Sequence, residues 1–226
     1  MINPKKLLHR HPSAILLVVQ LLGVVLYPVV DNTDTGRVLF GAFGILVLAL
    51  ALWVVNRSPS INWIAWCLAV PSVVLSMLTL WPGYPGLLVY AQLLESALYF
   101  YTAASLILYM LNDHKVTSDE LFAAGATFTL LAWAFAFAFS VCQEWYPGSF
   151  IAAINPQDPR SWMELLFLSF SVLASVGLSD VLPVLPQARA LVMLEAFAGV
   201  MYIALVVSRL IGLTTLRRDS GGIDRK

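Results

Sequence analysis

Long apolar runs, separated by short polar connectors, dominate the pattern of hydrophobic and polar positions along the chain. About 20 apolar helical residues cross a bilayer core that is about 30 Å thick. The connectors DNTDTGR, NRSPSIN and WPGYPG are rich in turn-forming residues. The pattern therefore predicts an all-α membrane protein with six transmembrane helices. Their expected positions are Ser13 to Val30, Val38 to Val55, Ile61 to Trp81, Leu87 to Leu111, Leu121 to Trp145 and Ala188 to Leu213.

The composition narrows the function classes. Of the 226 residues, 60% are hydrophobic and 12% are charged, and the formal net charge is +0. Soluble domains carry about 25% charged residues, so a soluble enzyme is excluded. A balanced charge gives no basic surface for nucleic acid. Because Cys67 and Cys142 lie singly in apolar runs and no catalytic or metal-ligand spacing occurs, we expect no enzyme activity, no metal site and no cofactor.

Lysine and arginine are distributed unevenly across the predicted topology. With six helices both termini lie on one side, which carries the basic residues near each terminus together with Arg57 and Lys115. The other side carries only Arg37, Arg160 and Arg189. The positive-inside rule therefore predicts that both termini are cytoplasmic in a cell membrane, either a plasma membrane or an inner membrane.

The segment between the fifth and sixth predicted helices is too apolar for a loop in water and too short for two further crossings. Ser161 and Glu164 have the spacing of a capping box, which predicts a helix start at Trp162. A helix from there to about Ala174 is about 18 Å long, so it reaches half-way into the bilayer. Its C-terminal dipole end would stabilise a cation there. The alternative is an outer loop that packs on the helix bundle.

The residues after this helix are expected to return to the surface. Gly177 can adopt a positive φ and turn its carbonyl group toward a central axis. Asp180 would then lie at the outer mouth, where a ring of acidic residues raises the local concentration of cations. A re-entrant helix followed by such a return loop favours an ion pathway.

The sequence FLSF at 167–170 precedes SVG at 175–177 and Asp180, and a proline-containing link leads to the last helix. Over about Thr127 to Gly212 this order resembles the pore domain of the potassium-channel superfamily, whose pore helix ends in Phe-Ser-Phe and whose filter reads T-V-G-Y-G-D. The resemblance implies that four chains surround one pore. It also implies a filter of Ser175, Val176, Gly177, Leu178, Ser179 and Asp180, a gating hinge at Gly199, and an inner cavity lined by Val200, Ile203, Val207 and Ile211.

Two filter positions depart from the family pattern. Leu178 replaces the tyrosine whose ring packs behind the filter, and Ser179 replaces the second glycine. A left-handed serine would cost about 1–2 kcal/mol per chain, or else the filter adopts another shape. We therefore expect a wider or differently coordinated filter, with weak selectivity for K⁺ or none, so that the permeant monovalent cation is K⁺ and possibly Na⁺.

The first four predicted helices contain no regular series of arginine or lysine, so a voltage sensor is not expected. They do contain Glu95, which fits either helix packing or a hydrated proton- or ligand-sensing site. Glu195 in the last helix fits either a structural bond to the pore helix or a direct ion site.

Together these features predict a homotetrameric channel for passive conduction of monovalent cations, with the lipid bilayer and sister subunits as its partners. The alternatives are a true K⁺-selective channel, a non-conducting membrane scaffold or receptor that keeps the pore fold, and, less favoured, a secondary transporter. The predicted divisions are a cytoplasmic N-terminus at 1–12, a four-helix peripheral domain at 13–111, a cytoplasmic linker at 112–120, a pore domain at 121–213 and a disordered cytoplasmic tail at 214–226.

Overall fold

The computed structural model describes the backbone of residues 12–30, 43–44, 46–53, 62–79, 85–112 and 118–223. Most of these residues are helical, including those at 43–44 and 46–53. One 3₁₀ turn, Pro85–Leu87, precedes the third of the helices defined next. The principal elements are α1 (Pro12–Val30), α2 (Asn62–Leu78), α3 (Leu88–Asn112), α4 (Ser118–Trp145), β1 (Phe150–Ala152), α5 (Trp162–Leu173), β2 (Val181–Pro183) and α6 (Pro186–Ile223).

Three helices of the described chain are long and apolar enough to cross a membrane: Leu88–Leu111, Asp119–Trp145 and Pro186–Arg209. They agree with the fourth, fifth and sixth predicted spans. Shorter apolar helices cover Ser13–Pro28 and Trp63–Leu78, while the predicted span at 38–55 lies partly outside the described residues. A helical membrane protein is thus confirmed, whereas six spans and the predicted domain divisions stay predictions.

Helix α4 is the centre of the fold and packs against α1, α3, α5 and α6. Its alternation of small and large residues at 132–136, Ala-Trp-Ala-Phe-Ala, lets neighbouring backbones approach closely. Polar side chains tie the helices together, because Thr129 donates to Gln20 Oε1 at 2.7 Å and Ser96 donates to the Ala134 carbonyl at 2.8 Å. Helices α1, α3 and α4 therefore form a packed bundle against which the segment after α4 lies.

Helix α6 is much less enclosed than α4. Within one chain, 61% of the apolar window of α4 is buried, against 17% for α6. The α6 backbone also continues to Ile223, so the expectation of a disordered tail from residue 214 is wrong over that stretch. The physical reason is that no proline interrupts the helix and no glycine follows Gly212 until the pair at 221–222, next to its end.

Candidate functional site

The N-terminus of α5 contains the predicted capping box. Ser161 is the N-cap and accepts from the amide of Glu164 at 3.3 Å. The Glu164 carboxylate in turn accepts from the amide of Ser161 at 2.7 Å. Both bonds satisfy amides that have no partner inside the helix, which confirms the predicted helix start at Trp162.

Arg160, which the sequence analysis did not single out, anchors the loop before α5. Its guanidinium donates to Glu164 Oε1 at 3.0 Å and to the carbonyl groups of Ile154 at 3.2 Å and Asn155 at 2.6 Å, and it also bonds the carbonyl group of Asp158. Arg160 is buried. Arginine side chains are buried in proteins almost only when their N–H donors are paired. The four-residue spacing from Arg160 to Glu164 is the one signal in the sequence that could have indicated this contact.

Two contacts fix this loop and the start of α5 to the helical scaffold. The Gln143 side chain of α4 donates to the Arg160 carbonyl at 3.0 Å and accepts from its amide at 2.7 Å. The indole ring of Trp162 packs edge-on against Trp133, with ring centroids 5.1 Å apart, and against Tyr27 at 5.4 Å. These contacts therefore fix the N-terminal end of α5 relative to α1 and α4.

The C-terminus of α5 closes by backbone hydrogen bonds alone. Ala174 is the C-cap, and Ser175 follows with a left-handed φ of 58°. The Ser175 amide donates to the Val172 carbonyl at 2.9 Å and the Val176 amide to the Ser171 carbonyl at 2.9 Å. This pair of bonds is the Schellman motif, whose left-handed position is usually a glycine.

The residues after this motif keep their amides turned back to the helix. The Gly177 amide also donates to the Ser171 carbonyl, at 3.1 Å, and its φ of 71° agrees with the predicted left-handed conformation. Within the described residues, none of the backbone carbonyl groups at 175–179 accepts a hydrogen bond. Val176 and Leu178 are 58% and 74% exposed, so these carbonyl groups belong to an open stretch of chain.

Ser179 does not adopt the left-handed conformation of the family's second glycine. Ser175 and Asn155 are the non-glycine residues of the described chain with a positive φ. The Ser179 hydroxyl accepts from the Val181 amide at 3.1 Å, which starts β2. The strain expected of a left-handed Ser179 is therefore not present, and the other expectation, a filter of another shape, stays a prediction.

A short β-ladder joins the two sides of the loop, a feature that the all-α prediction missed. Strands β1 and β2 are antiparallel, with Phe150 opposite Pro183 and Ala152 opposite Val181. Three-residue strands are too short for a period-two pattern, so the sequence held little signal for them. Next to β2, Asp180 is exposed, as a residue at the outer mouth would be.

Gly199 lies where α6 crosses the end of α5. A Cβ atom at this position would be 2.2 Å from the Leu173 carbonyl oxygen, so only glycine permits the crossing. Its role as a gating hinge stays a prediction, as does the inner cavity. Of the cavity residues, Val200, Ile203 and Val207 are exposed in the single chain, and the side chain of Ile211 lies outside the described residues.

The two glutamates at membrane depth have different partners. Glu195 contacts the Ser169 hydroxyl of the pore helix, the structural alternative weighed for it. Glu95 accepts from Ser72 at 3.4 Å and from Ser76 at 3.2 Å, both on α2. Glu195 therefore links α6 to α5, whereas Glu95 links α3 to α2.

Comparison with known proteins agrees with this geometry. A family model described as an ion channel matches residues 96–215, which is more than half of the chain. The matched segment contains α4, α5, the loop at 174–180 and most of α6. No curated protein and no solved structure matches the chain.

Proposed function

Since the chain belongs to the ion-channel family, of the potassium-channel type, we propose that it is a homotetrameric channel that conducts monovalent cations passively, with weak or altered selectivity for K⁺. Membership in this family makes it a membrane protein, and the absence of enzyme activity is part of the proposal. The permeant ion, the number of subunits, the cell-membrane location and the cytoplasmic position of both termini are part of the proposal.

The observation that carries the proposal is the run of carbonyl groups at 175–179, none of which is bonded to another described residue. At membrane depth an unpaired carbonyl group costs several kcal/mol. Such a backbone is tolerated where it lines a water-filled path, and carbonyl oxygens are also suitable ligands for a dehydrated cation. The negative end of the α5 dipole points toward the same stretch and stabilises positive charge there.

A symmetric assembly is expected because one chain supplies only one filter segment. One loop supplies one side of a pore, so a closed ring of carbonyl groups needs several copies, and the family geometry has four. The exposed apolar face of α6 supports this arrangement, because lipid and sister subunits would cover it. Its members include Met193, Leu194, Phe197 and Met201.

The filter chemistry supports weak discrimination between K⁺ and Na⁺. Leu178 is exposed and has no hydroxyl group to hold the filter at a fixed width. The Ser179 hydroxyl is engaged with the Val181 amide, and Ser179 lacks the left-handed backbone of a second filter glycine. A filter with fewer equivalent carbonyl rings separates the two ions less well.

A flux assay in liposomes tests the proposal. Purified protein is reconstituted, and the fluxes of K⁺, Na⁺ and Cl⁻ are compared in one preparation. We expect flux of K⁺ and Na⁺ and none of Cl⁻. Flux of K⁺ alone would identify a K⁺-selective channel, and the absence of any flux from correctly oligomeric protein would indicate a scaffold or receptor.

The double substitution Leu178→Tyr with Ser179→Gly tests the origin of the weak selectivity. It restores the family's filter sequence at both positions, so the K⁺/Na⁺ permeability ratio should rise. Leu182→Tyr is the matched control, because Leu182 is an exposed leucine on β2, outside the filter. An unchanged ratio in the double variant would contradict the assignment of selectivity to these residues.

A further inference from the structure

Glu195 is a completely buried acidic residue on α6, and its neighbours are unlike those of an ordinary intramembrane ion pair. Its Oε1 atom contacts the hydroxyl group of Ser169 on α5. That hydroxyl group also lies 2.8 Å from the Ala132 carbonyl oxygen on α4. Helices α4, α5 and α6 therefore meet at the Ser169 hydroxyl group.

The number of available protons decides how these groups bond. A hydroxyl group has one proton, so Ser169 can donate to Ala132 or to Glu195 but not to both. A carbonyl oxygen has no proton to give. Both contacts are hydrogen bonds only when the carboxyl group is protonated and donates to Ser169, which then donates to Ala132.

No cation compensates Glu195 among the described residues. The Ser169 contact is the one hydrogen bond that its side chain makes there, and its Oε2 atom is buried without a partner. By contrast, Glu120 on α4 pairs with Arg209 on α6 at 3.2 Å. A buried carboxylate without a counterion is unfavourable, so the neutral form fits this site.

The contact lies near the C-terminal end of α5, five residues before its C-cap, Ala174. One helical turn beyond Glu195, Gly199 lies against the carbonyl group of Leu173 at the end of α5. Between the two contacts, the Ser171 carbonyl accepts from the amides of Val176 and Gly177. A shift of α5 at Ser169 would therefore move the acceptor that orients the filter.

We propose that Glu195 is a positioning residue for ion selectivity: its neutral carboxyl group bonds Ser169 and thereby holds α5, and with it the carbonyl groups at 175–180, in place against α6. This inference rests on the proposed function, because selectivity is defined only for a conducting pore. It assigns Glu195 no direct contact with the permeant ion.

Three substitutions at Glu195 distinguish the effect of side-chain length and hydrogen bonding from the effect of its acidic group. Glu195→Gln keeps the length and can donate an amide proton to Ser169, so the K⁺/Na⁺ permeability ratio should stay within about twofold of the wild-type ratio. Glu195→Asp keeps the acid but is one methylene group shorter, and Glu195→Leu has no polar atom. Both should change the ratio by more than about twofold, because the buried hydrogen bond to Ser169 is weakened or lost.

Two serines on α5 provide the matched pair. Ser169→Ala removes the bonded hydroxyl group and should reproduce the effect of Glu195→Leu. Ser171→Ala removes a buried hydroxyl group that has no partner among the described residues and leaves the backbone carbonyl intact, so the ratio should not change. Glu95→Leu controls for loss of another intramembrane glutamate, since its contacts are with Ser72 and Ser76.

Reversal potentials of the reconstituted protein, with tetramer content checked for each variant, supply the main measurement. Wild-type selectivity in Glu195→Leu would overturn the inference. So would normal behaviour of Glu195→Asp together with loss of selectivity in Glu195→Gln, because that pattern assigns the role to charge.

Hydrogen exchange at the amides of Val176 and Gly177 distinguishes the two proposals. If the wild-type protein carries no current, the channel proposal fails by itself. Faster exchange in Glu195→Leu, but not in Glu195→Gln, would then still support the positioning contact. Equal exchange in all three proteins would refute it.

Discussion

The two ends of α5 are held in different ways. At the N-terminal end, the capping box, the guanidinium of Arg160 and the packing of Trp162 bind α5 to the loop before it and to α4. At the C-terminal end, backbone amides return to the Ser171 and Val172 carbonyl groups, and the next carbonyl groups remain without a partner in the described chain. Side chains anchor one end, and the other end leaves its backbone oxygens available.

This difference indicates a division of labour along 12 residues of helix. The anchored end contributes stability, because each of its bonds satisfies a group that would otherwise be unpaired. The open end leaves carbonyl oxygens that no described donor engages, and under the proposed function these oxygens face the ion. Substitutions at the two ends should therefore separate stability from selectivity.

Arg160→Ala should have the largest effect on stability. Three loop carbonyl groups lose their donor, at about 1 kcal/mol each, so the free energy of unfolding should fall by about 3 kcal/mol. The ion pair adds little, because the Glu164 side chain is 36% exposed. Thermal unfolding in detergent measures the loss.

Arg160→Lys is the control for this substitution. It keeps the charge but not the forked set of donors, so it should restore only part of the stability. The K⁺/Na⁺ permeability ratio of protein that still folds should be unchanged. An unaltered melting temperature in Arg160→Ala would contradict the anchoring role.

Gly177→Ala should act on the open end. A left-handed alanine costs about 1–2 kcal/mol per chain, and since no atom lies within 4 Å of the added Cβ, the strain comes from the backbone. The filter should rearrange to relieve it, and reversal potentials should show an altered permeability ratio.

Gly148→Ala is a close control, because Gly148 also has a positive φ, 80°, and open space around it, but lies in the loop between α4 and β1. It should lower stability by a similar amount and leave the permeability ratio unaltered. Equal effects of both substitutions on selectivity would show that the response is not specific to the filter.

Ser161→Ala should lower the free energy of unfolding by about 1 kcal/mol, since it removes the N-cap acceptor. Ser161→Asp keeps an acceptor and suits the positive end of the helix dipole, so it should retain the stability. Denaturation of both variants in one detergent makes the comparison, which fails if alanine and aspartate behave alike.

Ser175→Gly should have the smallest effect, a gain of about 1 kcal/mol or less, because glycine is favoured at the left-handed position of the Schellman motif. Ser175→Ala keeps the left-handed strain and should give no gain. Melting temperatures of the two variants test this, and a gain with alanine would contradict the backbone explanation.

Short-range features of the site were predictable from the sequence. The capping box needs two residues at fixed spacing, so Ser161 and Glu164 located the start of α5 correctly. Gly177 adopts the predicted left-handed conformation, for which glycine is suited. The apolar runs located the three long helices because membrane thickness sets their length.

Long-range features were not predictable in the same way. The family pattern pointed either to strain at Ser179 or to a filter of another shape, and gave no sign that the left-handed serine would be Ser175. The Schellman motif that closes α5 requires that conformation there. The buried position of Arg160 depends on Gln143, 17 residues away. The β-ladder pairs segments of three residues, too short to show a pattern.

The sequence by itself determined that this chain is a membrane protein with a short helix and a glycine-containing return loop before its last long helix. Those features arise from apolar length and from hydrogen bonds that span three or four residues. Only the tertiary structure decided what holds the loop in place. The partners of Ser169 lie 26 and 37 residues away, and no local rule relates residues at such separations.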